Sequence, residues 1–225
     1  MQNDIVNVQF RPFKGKDYER GINGKKVLIL GESHHHNCEK AGDCCNHLTT
    51  SKRIERHRRL TCEEVEWWKQ NPAKTPLSHA LPKLFGLPRY EFWDHVSFYN
   101  YVQSFVAAPR RRPNDEQFKE SAKAFQEVLN HLRPDRILVL GKQCWLSLPG
   151  NDDPVSKPPI IERNIMASRR LGLRESNDGF AYWYYCRGKQ WALALPIAHP
   201  SSFGFRSADY IDSIRKWMSF SGKPK

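Results

Sequence analysis

The sequence predicts an α/β protein in which helices cover both faces of a short, mostly parallel sheet of four strands. Two observations predict this fold class. Short continuous apolar runs recur along the chain and end at a glycine or a polar residue, as buried parallel strands do. Segments with helical spacing of apolar residues lie between these runs, and such alternation is typical of a three-layer α/β/α sandwich.

Four apolar runs are the predicted strands of this sheet. They cover residues 27–30, 96–100, 136–140 and 191–195, and the last of them is expected to end at Pro196. Two further segments, residues 160–165 and 180–186, follow a turn that is rich in proline, asparagine and aspartate. They are predicted to form an added antiparallel hairpin.

Three helices are predicted from capping signals and apolar spacing. Thr61 is placed as the N-cap of one helix, since Glu64 stands three residues later as in a capping box. Asn114 is placed as the N-cap of a helix over residues 115–132, with Gln117 in the equivalent position. A C-terminal helix is predicted over residues 207–220.

Length and composition favour one folded domain over residues 1–225. The chain is 39% hydrophobic, which excludes an intrinsically disordered protein, and no apolar run reaches the roughly 20 residues of a membrane helix. A monomer is expected. No secretion signal is visible at the N-terminus, so a cytoplasmic location is also expected. In that compartment the six cysteines are expected to be thiols or metal ligands rather than disulfides.

The charge of the chain favours a polyanionic partner. The formal net charge is +12, and arginine and lysine cluster at residues 52–53, 56–59, 110–112 and 169–170. A basic surface of this kind attracts nucleic acid, and the alternative is a basic surface that only keeps the protein soluble. We predict DNA, single- or double-stranded, as the partner, and no membrane.

Polar groups follow three of the predicted strands. They are Gly31-Glu32-Ser33-His34, Tyr99-Asn100 and His199-Pro200-Ser201. In open α/β sheets, ligands bind in the crevice outside the carboxyl ends of the strands. The sequence therefore predicts a ligand site where these three segments meet.

These segments, in this order, resemble the motifs of the uracil-DNA glycosylase superfamily. Gly31-Glu32-Ser33-His34 is similar to its first motif, a Gly-Glu-x-Pro or Gly-Gln-Asp-Pro loop after the first core strand. The segment from Phe98 to Gln103, followed by the prolines and arginines up to Pro113, resembles the Asn-containing strand end of the iron–sulfur branch. His199-Pro200-Ser201 matches the second motif. The resemblance covers residues 25–34 and 94–218.

The resemblance implies a DNA glycosylase that hydrolyses the N-glycosidic bond of uracil or a related damaged base. Glu32 and His199 would be the catalytic pair, with Glu32 near the sugar and His199 near the base carbonyl. Asn100, with Ser33 and His34, would recognise the base. The remaining implied contacts are to DNA: Ser201, Ser202, Phe203, Arg110, Arg111 and Arg112. Phe203 stands where the family places the side chain that fills the gap left by a flipped base.

The chain departs from the family at several positions. Ser33 occupies the place of the activating aspartate of the most active branch, and His34 replaces the motif proline. The iron–sulfur branch lacks that aspartate and keeps the glutamate, so Glu32 remains the candidate. No cysteine precedes Cys38, so no iron–sulfur cluster and no other cofactor is predicted. A base-stacking aromatic residue after the first motif cannot be placed from the sequence.

Two alternatives remain open at this stage. The first is a non-catalytic nucleic-acid-binding module on the same fold. The second is a metal-dependent enzyme that uses the loop at residues 34–47, where four histidines and three cysteines occur. That loop contains no Cys-x-x-Cys pair, and adjacent cysteines do not easily bind one tetrahedral ion, so no metal site is predicted.

Overall fold

A computed structural model of the protein describes residues 5–35, 50–71, 74–106, 111–149, 162–163, 182–186 and 190–222. Within these ranges, seven strands form one mixed sheet, in the order β1-β3-β2-β4-β7-β6-β5. Their bounds are β1 Phe13–Lys14, β2 Val27–Gly31, β3 Val96–Asn100, β4 Arg136–Leu140, β5 Glu162–Arg163, β6 Tyr182–Cys186 and β7 Gln190–Ile197.

The centre of the sheet is parallel and its edges are antiparallel. Strands β3, β2, β4 and β7 run parallel to one another, which are the four strands predicted from the apolar runs. Strand β1 pairs antiparallel with β3, and β6 pairs antiparallel with both β7 and β5. The pairing of β5 with β6 corresponds to the predicted added hairpin. The sheet is therefore wider and more mixed than the predicted four-stranded sheet.

Helices cover both faces of the sheet. Their bounds are α1 Thr50–Gln70, α2 Pro76–Phe85, α3 Arg89–His95, α4 Asp115–Glu120, α5 Ala122–Leu132, α6 Lys142–Ser147 and α7 Ile211–Ser219. Alternate residues of β2 enter two different apolar cores: Ile29 packs with residues of α1, α2, α3 and α7, whereas Leu30 packs with residues of α4, α5 and α6. The α/β class with helices on both faces is thus confirmed. None of the helices in the described ranges has the length and apolar character to span a bilayer.

The prediction that Thr61 caps a helix is wrong. Helix α1 begins at Thr50, so Thr61 lies in its middle, and its side chain is fully buried. The Thr61 hydroxyl lies 3.0 Å from Nε2 of His34, in the loop after β2. The capping pattern misled because a tertiary contact, rather than a helix terminus, uses this hydroxyl.

The helix predicted over residues 115–132 is interrupted at Ser121. Its start is as predicted, since the Asn114 side chain accepts from the Gln117 amide at 2.8 Å and the capping box is complete. At Ser121 the hydroxyl donates to the Gln117 carbonyl and accepts from the Gln103 amide, which ties the break to the segment after β3. The predicted C-terminal helix is likewise divided, into a 3₁₀ turn at Ser207–Asp209 and α7.

Strand β7 continues through Pro196, where the sequence predicted its end. Pro196 pairs with Val139 of β4. The Leu193 amide donates to Asp135, and the Ile197 carbonyl accepts from Gly141, so odd-numbered residues of β7 form the hydrogen bonds to β4. The missing amide of Pro196 therefore points away from β4 and costs no hydrogen bond of the pairing between β4 and β7.

Candidate functional site

The carboxyl ends of the parallel strands meet at one cavity of about 880 Å³. Gly31 of β2 is paired with Asn100 of β3, and Leu140 of β4 with Ile197 of β7, so the residues that follow are aligned at one edge of the sheet. The predicted site residues that line the cavity are Glu32, Ser33, Asn100, Arg111, Arg112, His199, Ser201 and Ser202. The three strand-end segments predicted from the sequence thus share one cavity.

Glu32 places a half-buried carboxyl group in this cavity. Its carbonyl accepts a hydrogen bond from the Val102 amide at 2.9 Å, which holds the loop after β2 beside the segment after β3. Burial raises the pKa of Glu32 above its ordinary value, and the positive charge of Arg112 opposes this shift to a smaller extent. A carboxylate in such a partly dehydrated place interacts strongly with positive charge.

His199 places an imidazole in the same cavity. Its Nδ1 accepts from the Ser201 amide at 3.1 Å, so the proton of the neutral ring is on Nε2. Burial lowers the pKa of His199, and the neighbouring His35 lowers it further. At neutral pH the ring is therefore a neutral hydrogen-bond donor through Nε2.

Asn100 is buried at the end of β3 and lies directly against Gly31. A Cβ added at Gly31 would fall 2.2 Å from the Asn100 Oδ1, so only glycine fits beside this side chain. The Asn100 Nδ2 is 3.3 Å from Nδ1 and 3.2 Å from Nε2 of His34. An atom equally far from both ring nitrogens cannot lie in the ring plane without meeting Cε1, so Nδ2 of Asn100 lies over the imidazole face.

The ring of His34 is buried beneath the cavity and does not line it. Its Nε2 lies 3.0 Å from the Thr61 hydroxyl, and its Nδ1 lies 3.2 Å from Oε2 of Glu64. The ring also packs edge-on against Phe10, with the ring centroids 4.6 Å apart. His34 thus connects the loop after β2 to helix α1 and supports Asn100 from below. Its neighbour Ser33 does line the cavity, and the Ser33 hydroxyl oxygen has no hydrogen-bond partner among the described residues.

Helix α1 forms a wall of the cavity that sequence reasoning missed. Glu64 and Trp68 of α1 line the cavity, together with Leu77 of α2 and Phe98 of β3. The rings of Trp68 and Phe98 pack edge to face with centroids 5.1 Å apart. The signal was present, because Glu64 and Trp68 are four residues apart and so lie on one face of a helix. Trp68 supplies an aromatic surface in the cavity where the sequence had identified none.

Two predicted DNA contacts lie outside the cavity lining or outside the described residues. Phe203 is fully exposed, in a turn just after Ser202. Arg110 lies outside the described residues, whereas Arg111 and Arg112 are exposed and line the cavity.

Most of the histidine- and cysteine-rich loop at residues 34–47 lies outside the described residues. Of its predicted ligands the structure places His34, whose two ring nitrogens face Thr61 and Glu64, and His35. In the part of the chain that the structure describes, no group of three side chains could hold a metal ion. Cys62 and Cys144 are free thiols.

Comparisons with known proteins do not assign the chain to a family. No protein-family model matches it, and no curated protein matches it.

Proposed function

We propose that this protein is a DNA glycosylase-like hydrolase on a uracil-DNA glycosylase-like fold, and that it removes a damaged or deaminated base from DNA. One observation carries the proposal: Glu32, Asn100 and His199 line the same cavity, at the ends of three parallel strands. The order of the motifs along the chain supports the same interpretation.

Cleavage of the glycosidic bond develops positive charge on the sugar and negative charge on the base, and each charge needs a group of opposite full or partial charge beside it. As the bond between C1′ and the base nitrogen breaks, its electron pair leaves with the base, and the sugar becomes positively charged. The Glu32 carboxylate stabilises this cation and orients the water whose oxygen bonds to C1′. The Nε2 proton of His199 stabilises the negative charge that develops on the departing base. The proton that the water loses neutralises the departed base.

Asn100 would hold the base while this happens. Its amide carries both a donor and an acceptor, and its Nδ2 lies over the imidazole face of His34. Trp68 and Phe98 give the cavity an aromatic wall against which a flat ring can pack. A base that has been rotated out of the stack fits an apolar-walled cavity with a few fixed polar groups.

The surface around the cavity suits a nucleic-acid strand. The chain carries a formal net charge of +12, and the exposed Arg111 and Arg112 line the cavity, where they would contact the phosphates beside a flipped nucleotide. Ser201 and Ser202 offer hydroxyl and amide groups that can position a phosphate. Phe203 projects an apolar ring into solvent and would replace the flipped base in the stack.

The test is base release from a panel of oligonucleotides. Purified protein is incubated in stoichiometric amount with single- and double-stranded oligonucleotides, each with one defined lesion, and the strands are then treated with alkali. We expect scission at the lesion for at least one member of the panel. Salt-dependent binding without scission of any member would contradict the proposal and favour the non-catalytic binding module.

A further inference from the structure

Glu64 is a cavity-lining carboxylate that the hydrolysis described above does not use. It belongs to α1, and its side chain is 37% exposed. Its Oε2 contacts Nδ1 of His34 at 3.2 Å. A carboxylate has two oxygens and about four acceptor sites, so this one contact leaves most of its acceptor capacity for a ligand.

Glu64 is a close neighbour of Asn100, the candidate base-recognition residue. The Asn100 Nδ2 and the Glu64 Oε2 lie 3.3 Å and 3.2 Å, respectively, from the same atom, Nδ1 of His34. Both groups therefore surround one buried nitrogen, and both can contact the edge of a single base. Asn100 contributes one donor and one acceptor, whereas Glu64 contributes acceptors alone.

This combination of groups discriminates between bases by their exocyclic substituent. Cytosine and adenine present an amino group, which donates to an acceptor. Uracil and hypoxanthine present a carbonyl oxygen at the same position, and that oxygen would face the lone pairs of a carboxylate. A site built to accept a hydrogen bond from a ligand rejects the analogue that lacks the donor, because the bound base removes water from the acceptor and leaves it unpaired.

We propose that the Glu64 carboxylate accepts a hydrogen bond from an exocyclic amino group, so that the cavity selects amino-bearing bases, derivatives of cytosine or adenine, over their deaminated counterparts. The inference rests on the proposed function, since it takes the cavity to receive a base from DNA. It narrows that function from damaged or deaminated bases in general to lesions that keep the amino group.

The same helix also places an aromatic side chain near the Glu64 carboxylate, against which a base can pack. Trp68 lies one helical turn after Glu64, and both line the cavity. One face of α1 thus offers an acceptor for the edge of a base and an aromatic surface for its plane.

The experiment uses matched nucleotides that differ only at the exocyclic group. Single-stranded oligonucleotides carry one 2′-fluoro nucleotide, which resists hydrolysis, with cytosine, uracil, adenine or hypoxanthine as the base. Dissociation constants are measured at one salt concentration. Each result is the ratio of the constants for uracil and cytosine, or for hypoxanthine and adenine. We expect cytosine to bind about tenfold or more tightly than uracil, and adenine than hypoxanthine, as a hydrogen bond to a charged group predicts.

Two variants assign the preference to Glu64. Glu64→Gln keeps the shape and an acceptor for His34 but replaces a ligand-facing acceptor with a donor, so both ratios should fall towards one. Glu63→Gln is the matched control: Glu63 is the preceding residue of α1, faces Arg59, and is not part of the cavity wall. It should leave both ratios unchanged. Thermal unfolding of both variants checks that α1 remains folded.

Three results would overturn the inference. The unaltered protein binds both members of each pair equally, it binds none of the four probes, or Glu64→Gln leaves both ratios unchanged. The probes cannot be cleaved, so this result is separate from base release. An amino preference without release of any base would contradict the proposed hydrolysis and support the inference. Release of uracil by a protein without an amino preference would support the proposed hydrolysis and contradict the inference.

Discussion

The two sides of the cavity are built in different ways. On one side, Glu32, Asn100 and His199 follow strand ends, and the pairing of parallel strands fixes their positions. On the other side, Glu64 and Trp68 belong to α1, whose position depends on packing and on the contact of Thr61 with His34. The strand-end side holds the groups suited to bond cleavage, and the α1 side holds groups suited to selecting the base. The two sides should therefore respond differently to substitution.

The largest effect is expected on the strand-end side, from His199→Leu. This change removes the Nε2 donor from the cavity, and loss of one such preorganised donor typically lowers a rate by about 100- to 1000-fold. Single-turnover base release, followed by quenching and alkali treatment, measures the rate. Affinity for an uncleavable oligonucleotide should change much less.

His131→Leu is the control for this variant. His131 is an exposed histidine in the last turn of α5 and does not line the cavity. A similar loss of rate in both variants, or a normal rate in His199→Leu, would show that the strand-end side does not carry the chemistry.

On the α1 side, Thr61→Val should destabilise the fold. Thr61 is fully buried, and valine keeps its volume while removing the hydroxyl that faces Nε2 of His34. A buried polar atom left without its partner costs about 1–3 kcal/mol. Urea unfolding measures the change in free energy. A variant as stable as the parent would mean that this contact does not secure α1 against the loop after β2.

At the surface, Phe203→Ala should weaken binding to DNA without affecting stability. The side chain is fully exposed, so its loss leaves no cavity. Stacking of an aromatic ring on a base contributes about 1–3 kcal/mol, which predicts a loss of affinity of about fivefold to 150-fold for a duplex with an abasic gap. Fluorescence anisotropy at fixed salt measures this. If affinity is unchanged, Phe203 does not enter the stack.

The smallest expected effect is on stability, from Glu32→Gln. The folded state raises the pKa of Glu32 above its ordinary value, so the group favours folding below that value and loses this contribution as the pH rises through the folded-state pKa. Near pH 7 the dehydrated charge therefore costs stability, and glutamine removes that cost. The variant should unfold at a higher temperature than the parent near pH 7, with a smaller difference at about pH 4. Scanning calorimetry at both pH values measures it, and an equal difference at both would contradict the sign of the shift.

The strand-end side was predictable from the sequence because its elements are short and periodic. Apolar runs that end at Gly31 and Leu140 mark parallel strands, and parallel strands bring their ends to one edge without further information. The α1 side was not predictable in this way. The sequence showed helical spacing around Glu64, but which face of the helix meets the cavity is decided by packing with β3 and α3.

Local patterns failed where a side chain has a tertiary role. Thr61 and Glu64 have capping-box spacing, yet both contact His34 instead of a helix terminus. The role predicted for His34 in base recognition stays a prediction, and its buried ring contacts the Asn100 amide outside the cavity lining. Pro196 was predicted to end a strand, and it continues one because its missing amide faces away from β4.

The most direct test of the account is quantitative release of free base by the unaltered protein and by Glu32→Gln. Single-turnover reactions on the best lesion of the panel are analysed for free base by mass spectrometry, with Glu63→Gln as the control for loss of one negative charge. We predict release by the parent and by Glu63→Gln at similar rates, and a loss of about 100-fold or more in Glu32→Gln. Release by Glu32→Gln at the parental rate, or no release by any of the three proteins, would contradict the claim that the strand-end cavity cleaves the glycosidic bond.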